Sequence, residues 1–307
     1  MSIGRREFLE SMTVGAGGFV LGCNGHVAVR PKPAVPATFD PYEMVRLGRT
    51  KIEVSRVGLG TGMKGWMRQS NQTRLGAKAF EKLVRGAFER GIRWFDLADL
   101  YGSHPFFARS MKPIDRDTYA IVSKIWWRPR GIPETDRLDA DGIVKRFLGE
   151  LKTDYIDAVL LHCVTSGAWP KELRKQMDLL AKLKAKGLIR AHGLSCHSIE
   201  ALEAAAAEPW VDSVHARINP YGVKMDGPAE KVAPVLKQIS AAGKGVVGMK
   251  IIGEGKFRNS DEQRDKSVAY ALGLGCIDTL LVGFEKLSEI DDLAARVRKV
   301  KRPAAVT

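Results

Sequence analysis

The chain has 307 residues, 45% apolar and 27% charged, which excludes a stapled mini-protein, a collagen-like repeat and a disordered chain. Lys and Arg number 49 against 35 Asp and Glu, a formal charge of +14. The excess is spread along the chain with no long basic run and no interleaved aromatics, which argues against a dedicated nucleic-acid binder.

The first 37 residues read as an address. Arg5 and Arg6 precede Phe8 and Leu9, a weakly apolar Gly-rich run spans 12–22, and a Pro-rich stretch spans 30–37. A charged start, an apolar middle and an extended exit, in that order, predict a twin-arginine export signal followed by a linker. The expectation is an exported, periplasmic protein that meets the twin-arginine export machinery. Val20-Leu21-Gly22-Cys23 leaves open a lipid anchor at Cys23, and membrane contact is expected only there or through the signal. No later segment reaches membrane-spanning length. Without residues 1–37 the charge is still +12, because that segment holds four basic and two acidic residues. The excess therefore belongs to the body, which reads as one domain over 44–303.

Along the body, 44–47 and 52–54 read as a short hairpin around Gly48-Arg49-Thr50, and 57–60 as a strand. Phe80, Val84, Ala87 and Phe88 recur at helical spacing, predicting a helix over 73–90 with Gly91 as its stop. Residues 94–98 read as a strand, followed by a short irregular segment and a strand over 119–125. Ile143, Phe147 and Leu151 mark a helix, 155–162 a strand, and Leu173, Met177, Leu180 and Leu183 a helix ended by Gly187. Further strands are predicted at 189–196, 211–219, 245–252 and 277–282. The remaining helices fall at 198–207, 228–242, 261–273 and 286–300. Eight strand-then-helix units predict an α/β fold, a closed (β/α)8 TIM barrel preceded by a short N-terminal β-hairpin. An open doubly wound sheet is the alternative, but no G-x-G-x-x-G opens a helix in the first unit.

In such barrels function sits at the C-terminal strand ends. Three consecutive strands end in ionisable groups: Asp96 with Tyr101 five residues on, Lys124, and His162. Taken singly, a strand-end Asp, Lys or His is more often a hydrogen-bonded scaffold residue. Their convergence on one mouth is what points to chemistry.

F-D-x-A-x-x-Y-G over 95–102, V-S-K over 122–124 and D-x-x-L-L-H over 157–162 resemble the catalytic tetrad of the aldo-keto reductase family. The likeness runs from Leu47-Gly48-Arg49 to the last helix. It implies a nicotinamide cofactor as hydride source, since no side chain carries one. It also implies Tyr101 as general acid and base, Lys124 lowering the phenol's pKa, Asp96 holding Lys124, and His162 orienting a carbonyl oxygen. The substrate class implied is a small carbonyl compound or sugar. The cofactor-binding set implied is Gly60, Thr61, Ser195, Cys196, Asn219, Lys250, Gly253, Gly255, Lys256, Gly283 and Lys286. Gly253, Gly255 and Lys256 would line the pyrophosphate, with backbone N–H groups and one cation.

Two departures bear on that set. Cys196 stands where the family carries an Asn that holds the nicotinamide amide, and a thiol is a weak hydrogen-bonding group. Gly283 and Glu289 stand where many members clamp the 2′-phosphate with a Lys and an Arg. The resemblance makes NADP(H) the expected cofactor, and the missing clamp, with a carboxylate that would repel the phosphate, keeps NAD(H) as the alternative. Trp66, Phe106, Trp126 and Trp127 are the expected substrate pocket. A zinc site from His162-Cys163 and Cys196-His197 is not expected, because neighbours on a strand point to opposite faces. A Cys163–Cys196 disulfide stays open, and Cys276 reads as barrel core. The competing readings are a non-catalytic NAD(P)-binding regulatory protein and a redox-independent lyase or isomerase using Lys124 as base.

Overall fold

A computed structural model describes residues 37–303. The export-signal residues and Cys23 lie outside the described residues.

Two antiparallel strands, β1 (Met44–Arg46) and β2 (Glu53–Ser55), form the expected hairpin. Its turn needs Gly48: φ is +52°, and a Cβ there would lie 2.7 Å from the Gly243 carbonyl oxygen. The Gly48 N–H donates to Asp278 Oδ2. The hairpin thus sits against the N-terminal ends of the barrel strands and closes the floor.

The barrel itself has eight parallel strands. They are β3 (Val57–Gly60), β4 (Trp94–Asp96), β5 (Ala120–Ile125), β6 (Ile156–Val164), β7 (Ile189–Cys196), β8 (Ser213–Arg217), β9 (Gly245–Met249) and β10 (Thr279–Val282), closed in sequence order with β10 against β3. Around it lie α1 (Asn71–Arg74), α2 (Ala77–Glu89), α3 (His104–Met111), α4 (Ala140–Leu151), α5 (Trp169–Glu172), α6 (Arg174–Ala185), α7 (Ile199–Ala207), α8 (Ala229–Ala241), α9 (Asp261–Gly273) and α10 (Leu287–Val297). The predicted helix over 73–90 is broken at Gly76, whose φ of +81° no other residue adopts without strain. The segment read as irregular after strand β4 contains α3, a short helix with Pro105 in its first turn.

Strand alternation decides which side chains enter the barrel. Leu47, Ile52 and Val54 from the hairpin pack with Trp94, Ala120, Val122, Ala158, Leu160, Ala191, Val247 and Leu281 as the inner core. Their neighbours Phe95, Ile121, Ile125, Val159, Leu161, Leu194 and Cys196 face the helices in the larger outer core. Gly58 leaves room for the Trp94 indole inside the barrel, since a Cβ there would fall 2.5 Å from Trp94 Cδ1. The same period of two carries Asp96, Lys124, His162 and Ser195 inward, above the inner core. It turns Cys196 outward, away from the mouth. Cys276 likewise belongs to the outer core, not the barrel interior, and Cys163, Cys196 and Cys276 are free thiols.

Candidate active site

The four ionisable groups meet. Lys124, 1% exposed, donates from Nζ to Asp96 Oδ1 and, at 3.1 Å, to the Leu97 carbonyl. Its amine lies 3.5 Å from the Tyr101 hydroxyl, which in turn lies 3.3 Å from His162 Nε2. The Tyr101 ring is set by a 3-10 turn over Asp99–Tyr101 and by two glycines. A Cβ on Gly62 would fall 2.5 Å from Tyr101 Cδ2, and one on Gly65 2.8 Å from its Cε1. Neither glycine was singled out from the sequence; their spacing just past the first barrel strand is the only signal they leave. His215, also missed, is fully buried with Nδ1 3.8 Å from Asp96 Oδ1.

Electrostatics follow from burial. Burial pushes the Asp96 carboxyl up against the pull of Lys124, and pulls the Lys124 amine down against the pull of Asp96. The pair is close to neutral as a unit. Burial then dominates the phenol: Tyr101 is raised well above its usual value, with Asp96 and Cys163 adding to it. This differs from the expectation that Lys124 would lower it, because burial is the largest influence on the phenol and the Asp96 charge pushes the same way. His162 is driven well below the usual imidazole range by burial and by Lys124, so it is neutral at pH 7.

A cleft opens beside Tyr101, lined by Gly60, Gly62, Met63, Asp96, Met249, Lys250, Glu254, Gly255 and Gly283 among others. It shares Met63, Ile252, Gly255, Val282 and Gly283 with a second space bounded by Arg258, Arg264, Ser288, Glu289 and Asp292. The two form one groove from the phenol to the start of α10. Glycines form part of its wall, and at its far end the exposed Arg258 has no carboxylate partner among the described residues.

The predicted cofactor residues divide. Gly60, Lys250, Gly255 and Gly283 line the groove, and Lys250 reaches Glu254 at 2.8 Å. Gly253 is buried with φ of +55°, against the Phe257 ring. The N–H groups of Gly253, Gly255 and Lys256 donate to Lys250, Ile252 and Gly253 carbonyls, so they are not free for a phosphate. Thr61 is buried, with its hydroxyl donating to the Asp96 carbonyl at 2.8 Å. Ser195 faces inward and accepts the Cys163 N–H at 2.9 Å, keeping its own proton to donate. Asn219 is saturated within its loop: Nδ2 donates to Val223 and Lys250 carbonyls and Oδ1 accepts the Tyr221 and Val223 N–H groups. It organises the loop and has no group left for a ligand. Lys286 precedes α10, where Glu289 Oε2 accepts the N–H groups of Glu285 and Lys286.

The aromatic set also divides. Trp126 stands edge-on to His162 at 5.6 Å and to the half-exposed Trp66 at 5.8 Å. Trp127 donates from Nε1 to the His162 carbonyl at 2.9 Å. Phe106 does not join them: helix α3 turns it onto Phe80, 5.4 Å away in the helix layer. Cys163, in a left-handed conformation with φ of +57° at an irregularity in β6, meets His197 Nε2 at 3.5 Å. Among the described residues, no cluster of three or more His, Cys, Asp or Glu could hold a metal ion.

A closed eight-stranded barrel with an Asp–Lys–Tyr–His cluster at its C-terminal mouth defines the class. Residues 56–295 match the aldo/keto reductase family, and the chain belongs to that family. Among curated relatives, the chain is 28% identical over 208 residues to the aldo-keto reductase YhdN of Bacillus subtilis, covering 64% of this chain and 58% of that one. It is 27% identical over 151 residues to the methylglyoxal reductase DkgB of Salmonella typhimurium, covering 45% and 51%. The matches thus span 60% or less of the length of these relatives. Among solved structures, the holo form of aldo-keto reductase AKR11C1 from Bacillus halodurans superposes with a TM-score of 0.66 at 18% identity, over 86% of this chain and 93% of that one. The glycerol dehydrogenase AKR11B4 from Gluconobacter oxydans gives 0.62 at 17% identity, over 85% and 91%. At such identities these structures speak to the fold alone.

Proposed function

We propose that the chain is an NAD(P)-dependent reductase of a small carbonyl compound, an aldehyde, ketone or sugar. The observation that carries this is the Tyr101 hydroxyl held 3.5 Å from Lys124 and 3.3 Å from His162 at the inner end of the groove. A bound nicotinamide would supply the hydride. The groove residues Gly60, Lys250, Gly255, Gly283 and Arg258 would hold the dinucleotide, with Ser195 donating near the mouth. Tyr101 supplies the proton to the carbonyl oxygen. Its raised pKa keeps that proton in place at neutral pH until charge develops on the substrate. Neutral His162 directs a ring nitrogen at the same oxygen position, and Lys124 steadies the charge that forms on the phenol oxygen. Trp66, edge-on to Trp126 beside His162, would offer an aromatic face to a flat or sugar-like substrate.

Titration of purified protein with NADH and NADPH, read by nicotinamide fluorescence, tests the cofactor reading. Binding of neither would sink it. Glu289 and Asp292 line the far end of the groove together with Arg258 and Arg264. Glu289→Gln keeps an amide oxygen for the Glu285 and Lys286 N–H groups and removes the charge. The expected result is tighter NADPH binding with NADH affinity unchanged; equal effects on both would place Glu289 away from the 2′ position.

The export reading of residues 1–37 belongs to the same proposal. In a host with twin-arginine export, the full chain is expected in the periplasmic fraction and the Arg5→Lys, Arg6→Lys variant in the cytoplasm. Identical fractionation of the two would refute an export signal there.

A further inference from the structure

Behind the site lies a second set of polar side chains that the proposed reaction does not use. Asp99, two residues before Tyr101, is buried and accepts Arg146 Nη2 at 2.7 Å and Nη1 at 3.1 Å. Arg68 donates to the same carboxylate at 3.0 Å. Arg146, on α4, also donates at 2.9 Å to Glu150 one turn further along the helix. Glu150 Oε2 lies 2.7 Å from His104 Nδ1, on α3. His104 Nε2 lies 2.8 Å from Ser123 Oγ, and Ser123 immediately precedes Lys124 on β5.

The Ser123–His104–Glu150 segment has the hydrogen-bond order of a nucleophile, base and acid. Burial argues against that use: Ser123 is 0% exposed, points from β5 toward the helices, and lines neither lobe of the groove. What the chain of contacts does is join two places. One end grips the turn that carries the phenol, and the other grips the strand residue next to the amine. A carboxylate only accepts, so the His104 Nδ1–H points to Glu150 and its Nε2 takes the Ser123 hydroxyl proton in the neutral ring. The His104 ring is further held edge-on to Phe147 of α4 at 4.5 Å. Arg146 and Glu150 keep each other ionised, and Glu150 is held down to about 2 by His104 and Arg146 against the upward push of burial.

We infer that Asp99, Arg146, Glu150, His104 and Ser123 form a positioning network that fixes the distance between the Tyr101 hydroxyl and the Lys124 amine. This rests on the oxidoreductase reading for its kinetic consequence, but not for its structural one. None of the five is a catalytic residue, since none touches the cleft. A shift of about 1 Å in a reacting group costs on the order of 10²-fold in rate.

The test uses the full chain with Arg146→Met, Arg146→Lys and Ser123→Ala, measuring kcat, KM, cofactor Kd and Tm, and the crystal structure of each variant. Arg146→Met is expected to lower kcat about 10- to 100-fold with KM and Kd within twofold. Arg146→Lys, which keeps one donor to Asp99, is expected to restore part of that loss. Ser123→Ala, which removes one hydroxyl and is the milder change should Arg146→Met fail to fold, is expected to lower kcat severalfold with Tm little changed. In the Arg146→Met crystal the Tyr101–Lys124 distance is expected to differ from 3.5 Å. Unchanged kcat in folded Arg146→Met or in Ser123→Ala overturns the network. So does a kcat loss matched by KM and Kd, which marks general loosening. If the unsubstituted chain turns over no carbonyl, the oxidoreductase reading fails. The network then stands on a changed Tyr101–Lys124 distance in the variant or falls on an unchanged one.

Discussion

Tyr101→Phe is expected to lower kcat for carbonyl reduction by about 10²–10⁴-fold while cofactor Kd stays within twofold. The ring fills the same cradle against Gly62 and Gly65, so packing is preserved and only the hydroxyl is lost. That hydroxyl contacts Lys124 and His162 and no part of the groove's far end. The direction of its pKa shift gives a companion result. A phenol raised above its ordinary value of 10 stays protonated through neutral pH, so reduction by the unsubstituted enzyme should be flat there and fall only in strong alkali. Alcohol oxidation needs the phenolate, so its rate should climb with pH over the same range. Oxidation that peaks near neutral pH would show that another group is the base. Full activity in Tyr101→Phe would move the proton donor elsewhere, with His162 the next candidate.

Lys124→Met is expected to abolish activity and to destabilise the fold by about 3–5 kcal/mol, because it strands Asp96 inside the barrel. The sign of the pH dependence separates this from simple loss of packing. Without Lys124 only burial acts on Asp96, and its folded pKa moves further above that of an unfolded aspartate. A carboxyl whose folded pKa is raised binds its proton more readily in the folded state. Its favourable contribution is present below the unfolded pKa, near about 3.9, and is lost as pH rises through the folded value. The deficit of Lys124→Met against the unsubstituted chain should therefore be large at pH 7 and shrink toward pH 4, measured by urea unfolding. Asp96→Asn in the same chain should recover most of the deficit at pH 7. A deficit equal at both pH values would mean the lost lysine stem, not the stranded charge, sets the cost.

Much of this site was legible because barrel strands are short and their period is two. Once Trp94, Val122 and Leu160 are inner core, Asp96, Lys124 and His162 must point inward one step further up. The same arithmetic applied to Ser195 would have turned Cys196 outward, where the structure has it. Other misreadings came from groups whose hydrogen bonds are satisfied at home. Thr61 and Asn219 look like ligand groups in a sequence, but their partners are backbone atoms that only the fold brings near. Phe106 lies outside the expected pocket because α3, only 8 residues with a Pro near its start, is too short to show a helical repeat in the sequence, and it swings the ring onto α2. The Asp99–Arg146 contact joins residues 47 apart, and no local pattern records it.

The floor of the barrel has a practical consequence. The hairpin plugs it, and both ends of the described chain run beside it: Thr38 bridges Lys301, Phe39 donates to the Val300 carbonyl, and Arg302 pairs with Glu43. The mouth with Tyr101 is at the opposite pole. A purification tag, fluorophore or bead coupled at the start or the end of this barrel would therefore hang from its base. Immobilised on a surface by either end, the molecule should present its groove to the bulk solution, which makes it well suited to flow-cell measurement of cofactor exchange.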